Sequence, residues 1–306
     1  MSEAWIIDGV RSPRGRGKPG VGSLSEIHPQ RVMAQVLNGL KDKVGFDPAD
    51  VEDFVAGNGS GTGDHAHDIA RMSVLDAGWP ITTPGVTLHR FCGSGQQAVT
   101  VAAQSIMAGH QDLVIGGGVE SMSRYAPNHT DGFTANNTHL FEQYPLIPQG
   151  ISADLIATIE GFSREDVDGY AVRSQERTQA SIEAGYFKTG LVPIYHADGR
   201  LALDRDEHPR PGTTMETMVG LNPSFEKMGK TLYDGQVRTF DDICKSVYPK
   251  INAVNHVHHA GNSSGVVDGA SAILLASPKY AKAHGLKPRA RIVMTATAGT
   301  EPVIML

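Results

Sequence analysis

The run Thr87-Leu-His-Arg-Phe-Cys-Gly-Ser-Gly-Gln-Gln-Ala-Val-Thr100 constrains the fold of this chain more than any other stretch. An extended, β-prone lead-in over residues 84–89 meets Cys92, a Gly-Ser-Gly pivot follows, and helical spacing takes over from about 96 to 109. Glycines at such a junction let backbone and ligand approach closely. A thiol placed there faces the first, unpaired N–H groups of a helix, which with the helix dipole favour the thiolate. Free cysteine is also among the most buried residue types, commonly an inert small hydrophobe. The order strand, cysteine, Gly-x-Gly, helix shares the logic of a nucleophile elbow and favours the nucleophile.

Around this junction the chain alternates. Residues 5–8 read as a short strand running into a Gly/Arg/Pro-rich loop over 10–22, and residues 29–40 as a helix with Val32, Met33, Val36 and Leu40 on one stripe. A strand at 51–57, a helix at 68–77, a strand at 84–91 and a strand at 112–116 follow. Alternating elements with short loops predict a layered α/β sheet covered by helices. Near Gly116 the character changes: residues 123–149 are rich in Asn, His, Pro, Gly and Thr. A helix fits 152–160, and Ser163-Arg-Glu-Asp166 is a capping box that opens another, to about Ala184. A hairpin is expected over 192–204 around Asp198-Gly199. Residues 206–254 read as polar and irregular, part of an inserted, mostly helical layer. Core character returns at 251–256 and 270–275, with a helix at 278–284 and a strand at 290–297.

A net charge of −6 and a pI near 6.1 argue against a nucleic-acid or anionic-membrane partner, while leaving room for a local basic site. Two cysteines, Cys92 and Cys244, suggest a reducing compartment without structural disulfides. The start lacks a secretory pattern and no apolar run reaches membrane-spanning length, so the expected location is cytoplasmic. Three other clusters invite chemistry. His65-Ala-His67 and His256-Val-His-His259 resemble metal ligands, but loop or core polar contacts are favoured over zinc. Gly116-Gly-Gly118 lacks the dinucleotide fingerprint and the P-loop lysine, so tight packing is the better reading. Arg11, Arg14 and Arg16 suit a phosphate or, at least as well, a solvated or interface loop.

Four stretches together resemble the thiolase family, in that family's order and spacing. They are Phe91-Cys-Gly-Ser-Gly-Gln-Gln-Ala98, Gly116-Gly-Gly-Val-Glu-Ser-Met-Ser123, Asp204-Arg-Asp-Glu-His-Pro-Arg-Pro-Gly-Thr-Thr214 and Ala260-Gly-Asn-Ser-Ser-Gly-Val-Val-Asp-Gly-Ala270. The resemblance implies a layered α/β/α core forming the N-terminal half (1–123 and 251–288), with an inserted coenzyme A-binding loop domain at 124–250. Residues 289–306 would begin a C-terminal half that is largely missing. It implies coenzyme A thioester chemistry, with Cys92 forming an acyl-enzyme and its backbone N–H contributing to an oxyanion hole. Arg210 matches the family's arginine near the adenine, Thr217 a nearby hydroxyl and Ser264 the serine beside the pantetheine arm. Acyl-CoA and coenzyme A are the implied partners, in a homo-oligomer when complete and in fatty-acid degradation. No metal or other cofactor is implied.

Two departures qualify the match. Where short-chain biosynthetic members carry a histidine before a Met-Gly pair, this chain reads Ile147-Pro-Gln-Gly150, and its segment 251–265 is closer to a catabolic branch. The family's Asn-Glu-Ala-Phe, Gly-His-Pro and Cys-x-Gly-Gly-Gly motifs do not occur in these 306 residues. These supply the activating histidine and the second catalytic cysteine. Cys244 lies in Asp-Asp-Ile-Cys-Lys-Ser with no glycine beside it, and reads as structural or incidental. The chain is therefore expected to be a truncated thiolase, inactive alone. The competing readings are a non-catalytic acyl-CoA-binding subunit that needs a partner, and a related condensing enzyme such as a ketoacyl synthase.

Overall fold

The computed structural model describes residues 3–125, 137–232 and 237–306. In chain order its elements are β1 (Trp5–Arg11), β2 (Gly15–Arg16), α1 (Pro29–Val44), β3 (Asp53–Gly57), α2 (Ile69–Asp76), β4 (Val86–Leu88), α3 (Ser94–Met107) and β5 (Leu113–Ser121). There follow α4 (Thr138–Gln143), α5 (Gln149–Glu160), α6 (Arg164–Glu183), β6 (Ile194–Tyr195), β7 (Leu201–Leu203), α7 (Met215–Val219), α8 (Glu226–Gly229) and α9 (Phe240–Val247). The last are β8 (Val267–Ala276), α10 (Pro278–Ala283) and β9 (Ala290–Arg291). They divide between two compact units. One comprises Met1–Ala126, Gly185–His208 and Val266–Ala296; the other comprises Pro127–Ala184, Pro209–Gly265 and Thr297–Leu306.

The first unit is a seven-stranded sheet in the order β4-β3-β5-β8-β1-β9, with β2 paired to β8. β3 runs parallel to β4 and β5, whereas β8 is antiparallel to β5 and β1. β5 lies inside the sheet and is buried almost throughout, which explains its apolar, non-alternating sequence. One face is covered by α1 and α2, whose Val32, Met33, Val36, Leu37 and Ile69 share a core with Phe54, Leu113, Ile115 and Leu274. Pro29 opens α1 at a position where the missing N–H costs nothing, and Gly45, at φ 81°, closes it by donating to the Lys41 carbonyl. The other face is covered by α3, which lays Ala98, Ala102, Ala103 and Ile106 on Val55, Val114 and Leu275. The layering is thus the expected α/β/α.

Two glycines make this close approach possible. A Cβ on Gly57 would fall 2.3 Å from the backbone of Ser94, and one on Gly116 would fall 2.7 Å from Val99 Cα. The strand predicted to end at 116 therefore continues to Ser121, because its glycine run packs under α3 and between β3 and β8. Other strands are shorter than their sequence suggests. The stretch 84–91 yields only β4, and 290–297 only β9, which pairs antiparallel with β1. The Asp198-Gly199 turn forms as read: Gly199 takes φ 83° between β6 and β7, and Ile194 and Leu203 enter the α1 core.

The second unit is built from α4 to α9. Ser163 and Asp166 form the predicted capping box of α6. Residues 206–254, expected to be irregular, also hold α9, which contributes Phe240, Ile243 and Cys244 to a core with Phe141, Ile147, Ile151 and Leu155. No helix among the described residues is long and apolar enough to cross a membrane.

Candidate active site

β4 ends at Leu88, and the chain turns sharply through Arg90 and Phe91 before α3 begins. Phe91 takes φ 47°, the left-handed region that a bulky side chain rarely enters, and is 62% exposed. The turn is closed by its own backbone, with Gly93 N donating to Arg90 O (3.0 Å) and Ser94 N to Phe91 O (3.1 Å). The Ser94 hydroxyl braces it from inside, donating to Phe91 O (2.6 Å) and accepting from Arg90 N (2.8 Å). Cys92 stands at the apex, exposed, one residue before the N-cap Gly93.

This geometry corrects one expectation drawn from the sequence. The first amides after the thiol are not unpaired, because Gly93 and Ser94 spend theirs on the turn, and α3 starts at Ser94 rather than near Gln96. The helix start still lies open beside the sulfur, because Gly93 brings no side-chain acceptor to cap it.

Behind the turn, β5 delivers polar groups that the sequence motifs contained without revealing their roles. Glu120 accepts from Gly59 N (2.6 Å), and Gly59 O accepts from His89 Nε2 (2.7 Å), whose Nδ1 accepts from Phe91 N (3.2 Å). The Tyr125 phenol is pushed above its ordinary range by burial and by the neighbouring Glu120 carboxylate, with Cys92 adding to the effect. His65 is wholly buried and accepts from Ser121 N (2.9 Å) through Nε2. Burial holds its imidazole below the usual value, against the pull of Glu120 and Asp64. Asp268, also buried, binds Ser123 through N (2.9 Å) and Oγ (2.6 Å), yet burial keeps its carboxyl above the usual range.

The arginine cluster has a structural occupation. Arg11 grips Asp206 through two hydrogen bonds (2.7 and 2.8 Å), and Asp206 also accepts from Arg14 N (2.8 Å). Glu207 accepts from Arg16 N (2.9 Å) and the Ser23 hydroxyl (2.5 Å). The front of the 204–214 motif therefore ties down the loop after β1.

The three residues matched to coenzyme A contacts lie in the second unit, whereas Cys92 lies in the first. Arg210 is exposed; its N donates to Gln175 Oε1 (2.9 Å) and its guanidinium to Ala260 O (3.4 Å). Arg210 and the 260–264 loop are thus brought together. Ser264 is exposed on that loop. Thr217 also serves the local fold. Its hydroxyl accepts from Thr214 N (3.0 Å) and donates to Thr214 O (2.8 Å), completing the capping box of α7. Cys244 is buried in α9, its thiol pushed up to about 12 by burial and by Asp241 and Asp154. His256 and His258 both point Nδ1 at Asp154 (2.7 Å each). Among the described residues no group of His, Cys, Asp or Glu is placed to hold a metal ion.

Comparison with known proteins agrees with these motifs. Residues 4–235 match the family model of the thiolase N-terminal domain. A β-ketoadipyl-CoA thiolase of Pseudomonas aeruginosa is 36% identical over 99% of this chain and 73% of its own length. A steroid 3-ketoacyl-CoA thiolase of Mycobacterium tuberculosis is 37% identical over 100% of this chain and 70% of its own. Among solved structures, the Bacillus anthracis acetyl-CoA acetyltransferase superposes with a TM-score of 0.74 at 31% identity, covering 96% of this chain and 70% of that one. The chain belongs to the thiolase family of acyltransferases.

Proposed function

We propose that this chain forms its acyl-enzyme on Cys92, taking the acyl group from a 3-ketoacyl-CoA or another acyl-CoA. The observation that carries the reading is the exposed thiol at the apex of a strained turn, beside an uncapped helix start. In thiolysis the Cys92 thiolate attacks the 3-keto carbonyl of a 3-ketoacyl-CoA, and the backbone N–H of Cys92 contributes to the hole that faces the developing oxyanion. Collapse breaks the bond between C2 and C3; C2 leaves as the carbanion of the departing acyl-CoA and takes up a proton, while the acyl group stays on Cys92. Transfer of that group to the sulfur of coenzyme A, which gives up its proton, frees the Cys92 thiolate and completes thiolysis. In the reverse condensation Cys92 takes its acyl group from the thioester of one acyl-CoA, whose coenzyme A leaves as thiolate and takes up a proton, and passes it to the deprotonated α-carbon of a second acyl-CoA.

Arg210, with its planar guanidinium, and the hydroxyls of Ser264 and Thr217 form the coenzyme A contacts of this proposal. The names of the relatives support a 3-ketoacyl-CoA substrate, and we place the reaction in a degradative pathway. One exposed thiol and one buried thiol, with no disulfide, suit a reducing cytoplasm. We assign the working state to a homo-oligomer, with no metal or other cofactor. A proton must leave and return at the carbon α to the thioester, and Cys244 is ill-suited to move it, being buried with its thiol held protonated.

The test is to mix the purified 306-residue chain with acetyl-CoA or acetoacetyl-CoA and follow intact mass and thiol release. A single acyl adduct mapping to Cys92, absent from Cys92→Ser and not followed by sustained turnover, is the expected result. An adduct elsewhere, or none, overturns the assignment of Cys92. Sustained thiolysis by this chain overturns the expectation that it is inactive alone.

A further inference from the structure

Asp154, wholly buried on α5, spends its carboxylate on one stretch of chain. Its Oδ1 accepts from Val257 N (3.0 Å), His258 N (3.0 Å) and His258 Nδ1 (2.7 Å), and its Oδ2 accepts from His256 Nδ1 (2.7 Å). One helical turn on, Thr158 Oγ1 accepts from Asn255 N (2.8 Å). From α6, Asp168 Oδ1 accepts from His259 Nε2 (2.8 Å) and Asn262 Nδ2 (2.8 Å). Residues 255–262 are therefore strapped to two helices, and the strap leads directly into Ser264.

His256 differs from its neighbours in what its ring faces. Nδ1 meets Asp154 Oδ2, and Nε2 meets Asp241 Oδ2 on α9 (3.3 Å). Both partners are carboxylates, so both ring nitrogens must donate, and only the imidazolium has two N–H groups. His259, by contrast, accepts from Gly261 N at Nδ1 (3.0 Å) and faces a carboxylate only at Nε2. The other charged groups around the His256 ring are Glu226 on α8, Lys230 just after it and Lys245 on α9, which with it line a cavity of about 370 Å³; His258 follows on its own segment. Lys230 is paired with Glu226 (2.6 Å) and Lys245 with Asp242 (2.7 Å), leaving Asp154 and Asp241 as the ring's own partners.

We propose that His256 is a positioning residue whose second ring N–H, present only in the imidazolium, latches the coenzyme A segment 255–264 to Asp241, so that proton loss opens that latch, loosens the segment and weakens coenzyme A binding. The proposal rests on the reading that Arg210 and Ser264 contact coenzyme A. The hydrogen bond that His256 donates to Asp154 raises the His256 value, burial opposes it, and Asp241 raises it further. A raised value means that the latch is closed below about pH 6.5 and opens as the pH climbs through the raised value.

The test measures coenzyme A affinity by calorimetry from mildly acidic to alkaline pH, for the wild-type chain and for His256→Gln, whose amide does not titrate. Amide hydrogen exchange of the 253–264 peptide is read in the same samples. Wild-type affinity is expected to fall roughly tenfold through the His256 titration, while the variant stays weak and flat. Exchange protection of the peptide is expected to fall in the same interval relative to the variant. Parallel pH curves for the two proteins overturn the latch. If the wild type binds no coenzyme A at any pH, the contact assignment fails, and the exchange comparison alone decides the latch. Should His256→Gln not fold, Asp241→Asn replaces it: removing one carboxylate is expected to move the opening to lower pH, and an unmoved opening overturns the proposal.

Discussion

Gly57 shows how a single missing side chain sets the position of the nucleophile. It ends β3 under the first turn of α3, and its Cα faces the Ser94 and Gly95 backbone with no room for a methyl group. Backbone on both sides cannot yield as a flexible side chain would. Gly57→Ala is therefore expected to destabilise the chain by about 3 kcal/mol, read as a lower urea midpoint at unchanged slope. It is also expected to slow acylation of Cys92 about tenfold, because α3 carries the turn with it. A midpoint within experimental scatter of the wild type would show that α3 shifts freely. Cys92 itself is legible from its run of neighbours, since strand, thiol, glycines and helix follow one another in the sequence. The strain at Phe91 is not legible, because it arises from Ser94 and His89 gripping the turn from either side, and neither grip has a sequence pattern of its own.

Elements are legible where a local pattern and the tertiary packing agree. The Ser163 capping box predicts α6, and the Asp198-Gly199 turn predicts the β6–β7 hairpin. α9 carries the same kind of signal inside a stretch that reads as loop. Thr239 and Asp242 form a capping box ahead of Phe240, Ile243, Cys244 and Val247, but the polar residues on either side mask it. Thr239→Ala removes the side-chain cap and is expected to cost about 1 kcal/mol, measured by thermal or urea unfolding. Because α9 supplies Phe240 and Ile243 to the core of the second unit, exchange protection of residues 240–247 should fall with it. A loss of stability without that local change would place the effect elsewhere. β4 and β9 illustrate the opposite limit. Their sequences are β-prone over eight residues, yet only the part facing a neighbouring strand is ordered into the ladder, and sequence does not state where the neighbour ends.

At the scale of the whole chain, two buried histidines give the two units opposite responses to acid. In the first unit His65 is buried and neutral, with Nε2 accepting from Ser121 N and burial depressing its pKa. Unfolding lets it take up a proton, so its contribution is lost as the pH falls below the unfolded value of about 6.5. In the second unit His256 is raised by Asp154 and Asp241, so its contribution grows as the pH falls through the raised value and is complete below about 6.5. The carboxylates act lower on the scale. Asp206 and Asp154 are buried, which alone would raise them, but Arg11 and the histidines of 256–258 hold them below the usual range. Their contributions are present above about pH 4 and fade beneath it. Between pH 8 and 5 the first unit is therefore expected to lose stability while the second gains it. Trp5 and Trp79, the only tryptophans, both lie in the first unit and report on it by fluorescence, and exchange protection of α5 reports on the second. The urea midpoint of the tryptophan signal should fall across that interval and the protection of α5 should rise. His65→Gln should flatten the first response and leave the second, and His256→Gln should do the reverse. A single transition that moves the same way in both probes would mean that the units unfold together and that neither histidine sets its own unit's response.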